Sequence, residues 1–193
     1  MFEAITSFKG EYYFLSNFYS APVVFEGVRY ENNEAAFQAA KCPSRKHEFC
    51  NLNPSEAEWL GRQVELRPDW EDVKDSIMYR ICKEKFMQNP DIRVKLIGTK
   101  DAELVEGNDW NDTIWGVCNG VGENRLGKIL MRVREEIKLG YKCEHGECLE
   151  RDCIFHQNST GKYAESTDKM PFYYPESAWE VECCMCYDMR SWL

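Results

Sequence analysis

The stretch Asn32-Asn33-Glu34-Ala35-Ala36-Phe37-Gln38-Ala39-Ala40-Lys41 decides how the rest of the chain is read. Alanine is the strongest helix former, and the run is rich in it. Asn33 suits the N-cap, because a short amide side chain can accept from a free N–H of the first turn. The predicted helix stops before Pro43, since a proline disfavours helical backbone in the residue ahead of it. Glu34, Gln38 and Lys41 fall at steps of four and three, hence on one helical face. The small alanines let other backbone approach closely. A carboxylate near a helix start ordinarily only complements the dipole, so this segment acquires chemical meaning only beside others.

On the N-terminal side, residues 11–30 read as short extended pieces. Val23-Val24-Phe25 and Val28-Arg29-Tyr30 flank a turn at Glu26-Gly27, the pattern of a small hairpin. On the C-terminal side, Asn53-Pro54 reads as the cap and first position of a helix that turns Ala57, Leu60 and Val64 inward. The clearest helix is predicted over Pro68 to Gln88, where Trp70, Val73, Ile77 and Ile81 repeat at helical steps. Asn89-Pro90 breaks it, and a short helix runs through Val94 and Ile97 to Gly98. Leu104-Val105 is a short strand candidate. A last helix spans about Asn124 to Lys138, with Leu126, Leu130, Val133 and Ile137 as its apolar stripe and Gly140 as its C-cap. The predicted fold class is mainly α, an α+β arrangement with a small N-terminal β portion. It forms a compact domain over residues 1–140, followed by a Cys/His-rich extension over 141–193.

Composition narrows the function classes. A net charge of −9 argues against extended nonspecific binding to nucleic acid, whose affinity comes largely from phosphate neutralisation. A nucleotide-sized ligand needs only one suitable cleft. Apolar runs are far too short to span a bilayer. Met1 to Gly10 lacks the apolar core of a signal peptide. The expectation is a cytoplasmic chain, no membrane partner, and reduced cysteines.

Three segments carry candidate chemistry. Tyr13 to Tyr19 places aromatics around Ser16 and Asn17; aromatic faces stack on bases, and an asparagine can bond a base edge or ribose. A core strand with a surface turn would look the same. Asn32 to Lys41 is the second segment. The third, Asn111 to Gly127, is a glycine-rich loop with Gly116, Gly120 and Gly122 ahead of a helix, whose amides could cradle a phosphate with Arg125 adding charge. It is neither a Walker loop nor a dinucleotide fingerprint, and a flexible connection into a capped helix is the plain alternative.

In combination these segments resemble the NADAR family of N-glycosidases. The matching stretches are Phe14-Leu15-Ser16-Asn17-Phe18, Glu34 through Lys41, Trp70, Asn111-Asp112 ahead of Trp115-Gly116, and Asn124-Arg125-Leu126-Gly127. The resemblance covers about residues 8–138. It implies a compact, mainly helical hydrolase of N-glycosidic bonds. Its substrates would be ADP-ribose on a guanine-type base, or a phosphorylated ribosylamino-pyrimidine of riboflavin synthesis. By the same resemblance Glu34 and Asp112 are the catalytic carboxylates. Trp70 and Trp115 are pocket walls, and Asn17, Phe18, Gln38, Lys41, Asn124 and Arg125 contact substrate. Ser16, Gly116 and Asn119 complete the candidate binding set. The sequence Val117-Cys118-Asn119 departs from relatives, which carry an acidic residue and more glycine there. No cofactor is expected for catalysis.

In the extension, Cys143, His145, Cys148, Cys153, His156, Cys183, Cys184 and Cys186 offer ligands for a structural zinc; a reduced cysteine-rich flap is the alternative. Two non-enzymatic readings stand beside the hydrolase. One is an ADP-ribose- or nucleotide-binding module with a partner-recruiting extension. The other is a zinc-dependent interaction protein. Two carboxylates near an anionic ligand favour the enzyme.

Overall fold

The computed structural model describes residues 3–140. The chain divides into two units, Met1–Arg134 and Glu135–Leu193, and the first holds the fold described below. The zinc candidates Cys143 to Cys186 lie outside the described residues. Among the described residues no cluster of His, Cys, Asp or Glu could hold a metal. Among them, too, no helix is long and apolar enough to cross a membrane.

The elements run β1 (Ser20–Phe25), β2 (Val28–Asn32), α1 (Asn33–Ala39), α2 (Pro54–Gly61), α3 (Trp70–Gln88), α4 (Pro90–Gly98), β3 (Gly107–Asn108), β4 (Val117–Cys118) and α5 (Arg125–Gly140). The fold is therefore mainly helical, with a small β portion near its start. β1 and β2 pair antiparallel around Glu26 (φ 48°) and Gly27 (φ 77°). Positive φ at both turn residues matches the right-handed twist of the strands.

α1 is the centre of the core. Every residue from Asn33 to Ala39 is buried, and α2, α3, both hairpin strands and the turn at Pro43–Phe49 pack on it. Its polar residues Asn33, Glu34 and Gln38 are buried with the rest, so their hydrogen bonds are made inside the protein. Ala35 and Ala36 are fully covered and Phe37 nearly so; small residues bring neighbours close, and one buried Phe adds about 1.5–3 kcal/mol. The cap is Asn32 rather than Asn33. Asn32 closes β2 in extended backbone and accepts from Ala35 N at 2.8 Å, while Asn33 is the first helical residue and sends its amide to Asn17 Oδ1 at 3.3 Å. Either asparagine could cap; the end of the strand pairing decides which one does.

The predicted α2 start holds in full: Asn53 and Glu56 form a reciprocal capping box. The long helix starts at Trp70, not Pro68. Asp69 occupies its N-cap, but its carboxylate is paired with Arg67 at 2.6 and 2.9 Å instead of capping. Residues 10–15 form a 3-10 helix and not an extended piece. Phe14 and Leu15 are adjacent and both buried, which a strand with alternating faces does not allow. Leu104 bridges Ile5 in parallel, and Ile5 is bonded on both sides, to Glu103 O and from Val105 N at 2.8 Å. β3 and β4 then pair in parallel. Along α5, Leu126, Leu130 and Val133 are buried as the stripe requires.

Candidate active site

Glu34 occupies the first turn of α1 yet is only 8% exposed. A surface dipole role is therefore excluded. Its backbone N–H donates to Asn17 O at 3.1 Å. Its carboxylate accepts from Gln38 Nε2 at 2.6 Å, one turn on. Burial pushes the carboxyl up to about 7; Glu58 adds to the rise, while the Gln38 bond and the Lys41 charge oppose it. Lys41 is half-buried and its pKa is lowered, mainly by burial, against the pull of Glu34 and Glu58. Gln38 packs onto Gly61 so tightly that a Cβ there would overlap its amide.

An aromatic cluster is built from the same helix. Phe37, on the same helix, packs against Trp70 at 5.1 Å and, edge-on, against Trp115 at 5.4 Å. Lys41 Nζ lies 5.8 Å over the Trp70 ring. Phe37 thus joins two tryptophans that stand 45 positions apart in the sequence. It is a site residue the motif reading did not name, although it sits at i+3 from Glu34.

Ser16 and Asn17 form the next wall. Asn17 is buried; its amide accepts from Asn33 and donates to Met78 Sδ at 3.2 Å. Ser16 Oγ accepts from Phe18 N at 3.1 Å, and Ser16 O accepts from Lys85 Nζ at 2.8 Å. The Phe18 ring is exposed beside Tyr13. Lys85 is completely buried, under the rings of Tyr19 and Phe86. Burial pushes it down to about 8, with Cys82 and Glu106 pulling the other way.

Asp112 stands on the glycine-rich loop. Its Oδ1 accepts from Ile114 N at 3.0 Å and Trp115 N at 2.9 Å. Asn108 brackets it, accepting from its N–H and donating to its carbonyl. This turn points Trp115 towards Phe37. Asn124 adopts φ 53° and is buried, with Nδ2 donating to Leu104 O at 2.9 Å and Oδ1 accepting from Glu106 N at 3.0 Å. Its amide is spent on holding the loop. Arg125 is paired with Asp75 through both carboxylate oxygens and with Glu123. Gly116 fits where a Cβ would meet Glu106 O at 2.3 Å. Asn119 is exposed, at φ 51°, and lines a separate cleft of about 400 Å³ with Thr6, Lys9, Asn108 and Asp109. That cleft contains neither Glu34 nor the aromatic trio.

The structure therefore brings Glu34, Gln38, Lys41, Trp70 and Trp115 together, with Asn17 behind them. Asp112, Gly116 and Asn124 form a second group tied to the first through Trp115. Glu106 joins that second group and was not foreseen; its only sequence signal is its place six residues before Asp112.

Known proteins are similar to this chain in sequence and fold. The N-glycosidase YbiA of Shigella flexneri is 38% identical over 130 residues, covering 64% of this chain and 81% of its own length. A riboflavin biosynthesis protein of Vibrio vulnificus is 35% identical over 131 residues, 65% of this chain and 35% of that longer one. The NMR structure of Escherichia coli YbiA aligns with a TM-score of 0.64 at 33% identity, covering 72% of this chain and 88% of that one. Fold and relatives together define a hydrolase of N-glycosyl bonds. The NADAR domain model matches residues 5–138, and the chain belongs to that family.

Proposed function

We propose that the chain cleaves the bond between ribose C1 and a base nitrogen, and that its substrate is ADP-ribose carried on a guanine-type base. The buried Glu34 carboxylate, held by Gln38 on the helix whose Phe37 joins Trp70 to Trp115, carries this proposal. Breaking a glycosidic bond builds positive charge near C1. A carboxylate in a dry site stabilises that charge far better than water-exposed charge could. A carboxyl near 7 is also suited to taking a proton from the attacking water at neutral pH. In this scheme water oxygen bonds to C1, one water proton passes to Glu34, and the electrons of the broken C1–N bond leave with the base.

Two observations favour the larger substrate. Lys41, beside Glu34, supplies a cation for a diphosphate. The exposed rings of Phe18 and Tyr13 offer stacking faces beyond the first base. A phosphorylated ribosylamino-pyrimidine is the second candidate, favoured by the Vibrio relative's name. The test is mass-spectrometric: incubation with a guanine-ADP-ribosylated oligonucleotide and, separately, with the pyrimidine intermediate. Release of ADP-ribose is expected, at a higher kcat/KM than for the pyrimidine. Binding by titration without release from either substrate overturns the enzyme in favour of a binding module.

A further inference from the structure

α2 and α4 both end on glycine, Gly61 and Gly98. Each is followed by a residue of right-handed helical backbone, Arg62 (φ −81°) and Thr99 (φ −69°). Neither glycine has a positive φ, so backbone conformation requires neither, and alanine is the better helix former at such a place. Their surroundings differ. Gly98 is exposed, and a Cβ added there would meet nothing within 4 Å. Gly61 is buried, and a Cβ there would overlap Gln38 Oε1 and lie 2.6 Å from Gln38 Cδ and 3.0 Å from Gln38 Cβ. The room that a side chain at position 61 would need is therefore filled by the residue that holds Glu34.

The Gln38 amide is held from two sides. Its Nε2 donates to Glu34 Oε1 at 2.6 Å, while its Oε1 is buried and accepts no hydrogen bond. On that second side the amide rests against Gly61. α2 cannot retreat to make room, because the residues flanking α1 grip the chain before and after it. Asn32 Nδ2 donates to Leu52 O at 3.0 Å, and Lys41 O accepts from Arg67 N at 2.8 Å. An added methyl would first meet the far end of a flexible side chain, so the amide yields before either helix does. We infer that Gly61 is a positioning residue for the hydrolysis: its missing side chain keeps the Gln38 amide against Glu34 and so sets where the carboxylate points. The bond acts in two ways. It fixes one orientation of the carboxylate, and a misplacement of about 1 Å can cost roughly 10²-fold in rate. It also favours the charged form, against the rise that burial imposes on Glu34.

The inference rests on the reading of Glu34 as the catalytic carboxylate, and its test keeps the two apart. On the substrate that wild type turns over, Gly61→Ala is expected to melt cooperatively and to lower kcat by about 10–100-fold, the worth of one hydrogen bond to a charged group. KM should stay within roughly threefold, as for an interaction that acts in the transition state. The low-pH limb of the kcat/KM profile, where Glu34 takes up a proton, should move to higher pH, because the bond that favours the carboxylate is gone. Gln38→Ala should reproduce both changes. The double variant should be no worse than Gln38→Ala, since the methyl then has no amide to displace. Gly98→Ala should keep the wild-type kcat and profile. A Gly61→Ala enzyme with wild-type kcat, an unmoved limb, losses that add to those of Gln38→Ala, or an equal loss in Gly98→Ala overturns the positioning role. Any of these beside an inactive Glu34→Gln leaves the reading of Glu34 intact. Wild-type turnover by Glu34→Gln, or none by wild type, overturns that reading and this role with it. Should Gly61→Ala lose its cooperative melt, the double variant decides: a melt and kcat equal to those of Gln38→Ala support the role, and a chain still unfolded overturns it.

Discussion

α1 and the loop from Leu104 to Asn124 hold their carboxylates by opposite means. α1 places Glu34 with regular helix geometry: Gln38 one turn on, Phe37 on the next face, alanines between. The loop has almost no regular structure. It holds Asp112 and Glu106 with single hydrogen bonds to backbone, with asparagines 111, 119 and 124 in left-handed conformations, and with glycine where a Cβ cannot fit. A periodic element can be read from spacing, whereas a loop of this kind is specified by contacts between residues distant in sequence. The helix is also the more buried of the two regions, so its carboxylate pays more in desolvation and gains more from catalysis in a dry site.

The largest expected difference lies at Glu34. Glu34→Gln keeps the shape and the Gln38 neighbour but removes the charge; kcat should fall about 10²–10⁴-fold, or some 3–5 kcal/mol of barrier. Turnover near the wild-type rate would end the claim that α1 carries the chemistry. Next comes Asn124→Ala, which breaks the loop and not the helix. It strands Glu106 N–H and Leu104 O, and losing two buried partners should cost about 2–4 kcal/mol in a denaturant melt. A loss of KM with an unchanged melt would instead return Asn124 to the substrate contacts.

A third contrast concerns pH. The folded Glu34 carboxyl stands near 7, above its unfolded value of 4.5. Between those values the native state holds a proton that the unfolded chain has released. Stability should therefore fall as pH rises through this window, by roughly 3 kcal/mol from Glu34 at most. Glu34→Gln should flatten that slope in melts taken from pH 5 to 8; an unchanged slope would show that Glu34 is not desolvated. The smallest effect belongs to Arg125→Ala. Its pairs with Asp75 and Glu123 are solvent-exposed, and such pairs are worth about 0–1 kcal/mol each. A KM rise in this variant without a stability change would assign Arg125 to substrate.

Much of the fold was legible in the sequence because local rules sufficed. The hairpin turn at Glu26-Gly27, the Asn53-Pro54 cap and the break at Asn89-Pro90 each follow from residues within a few positions of one another. The 3-10 helix at Gly10–Leu15 was not legible, since its aromatics fit a strand equally well until the core claims Phe14 and Leu15 together. The same holds for Asn32 over Asn33, where the end of β2 chooses between identical side chains.

Sequence alone determined that Glu34 and Gln38 share a helical face and that Trp115 leads from Asp112 into a glycine-rich loop, because helix period and turn chemistry are short-range; the helix ends at Ala39, before Lys41. Only the tertiary structure decided that Glu34 is buried, that Phe37 joins Trp70 to Trp115, and that Glu106 stands by Asp112 with an unpartnered oxygen. Burial and electrostatic neighbourhood depend on which distant segments pack together, and these set the protonation of both carboxyls.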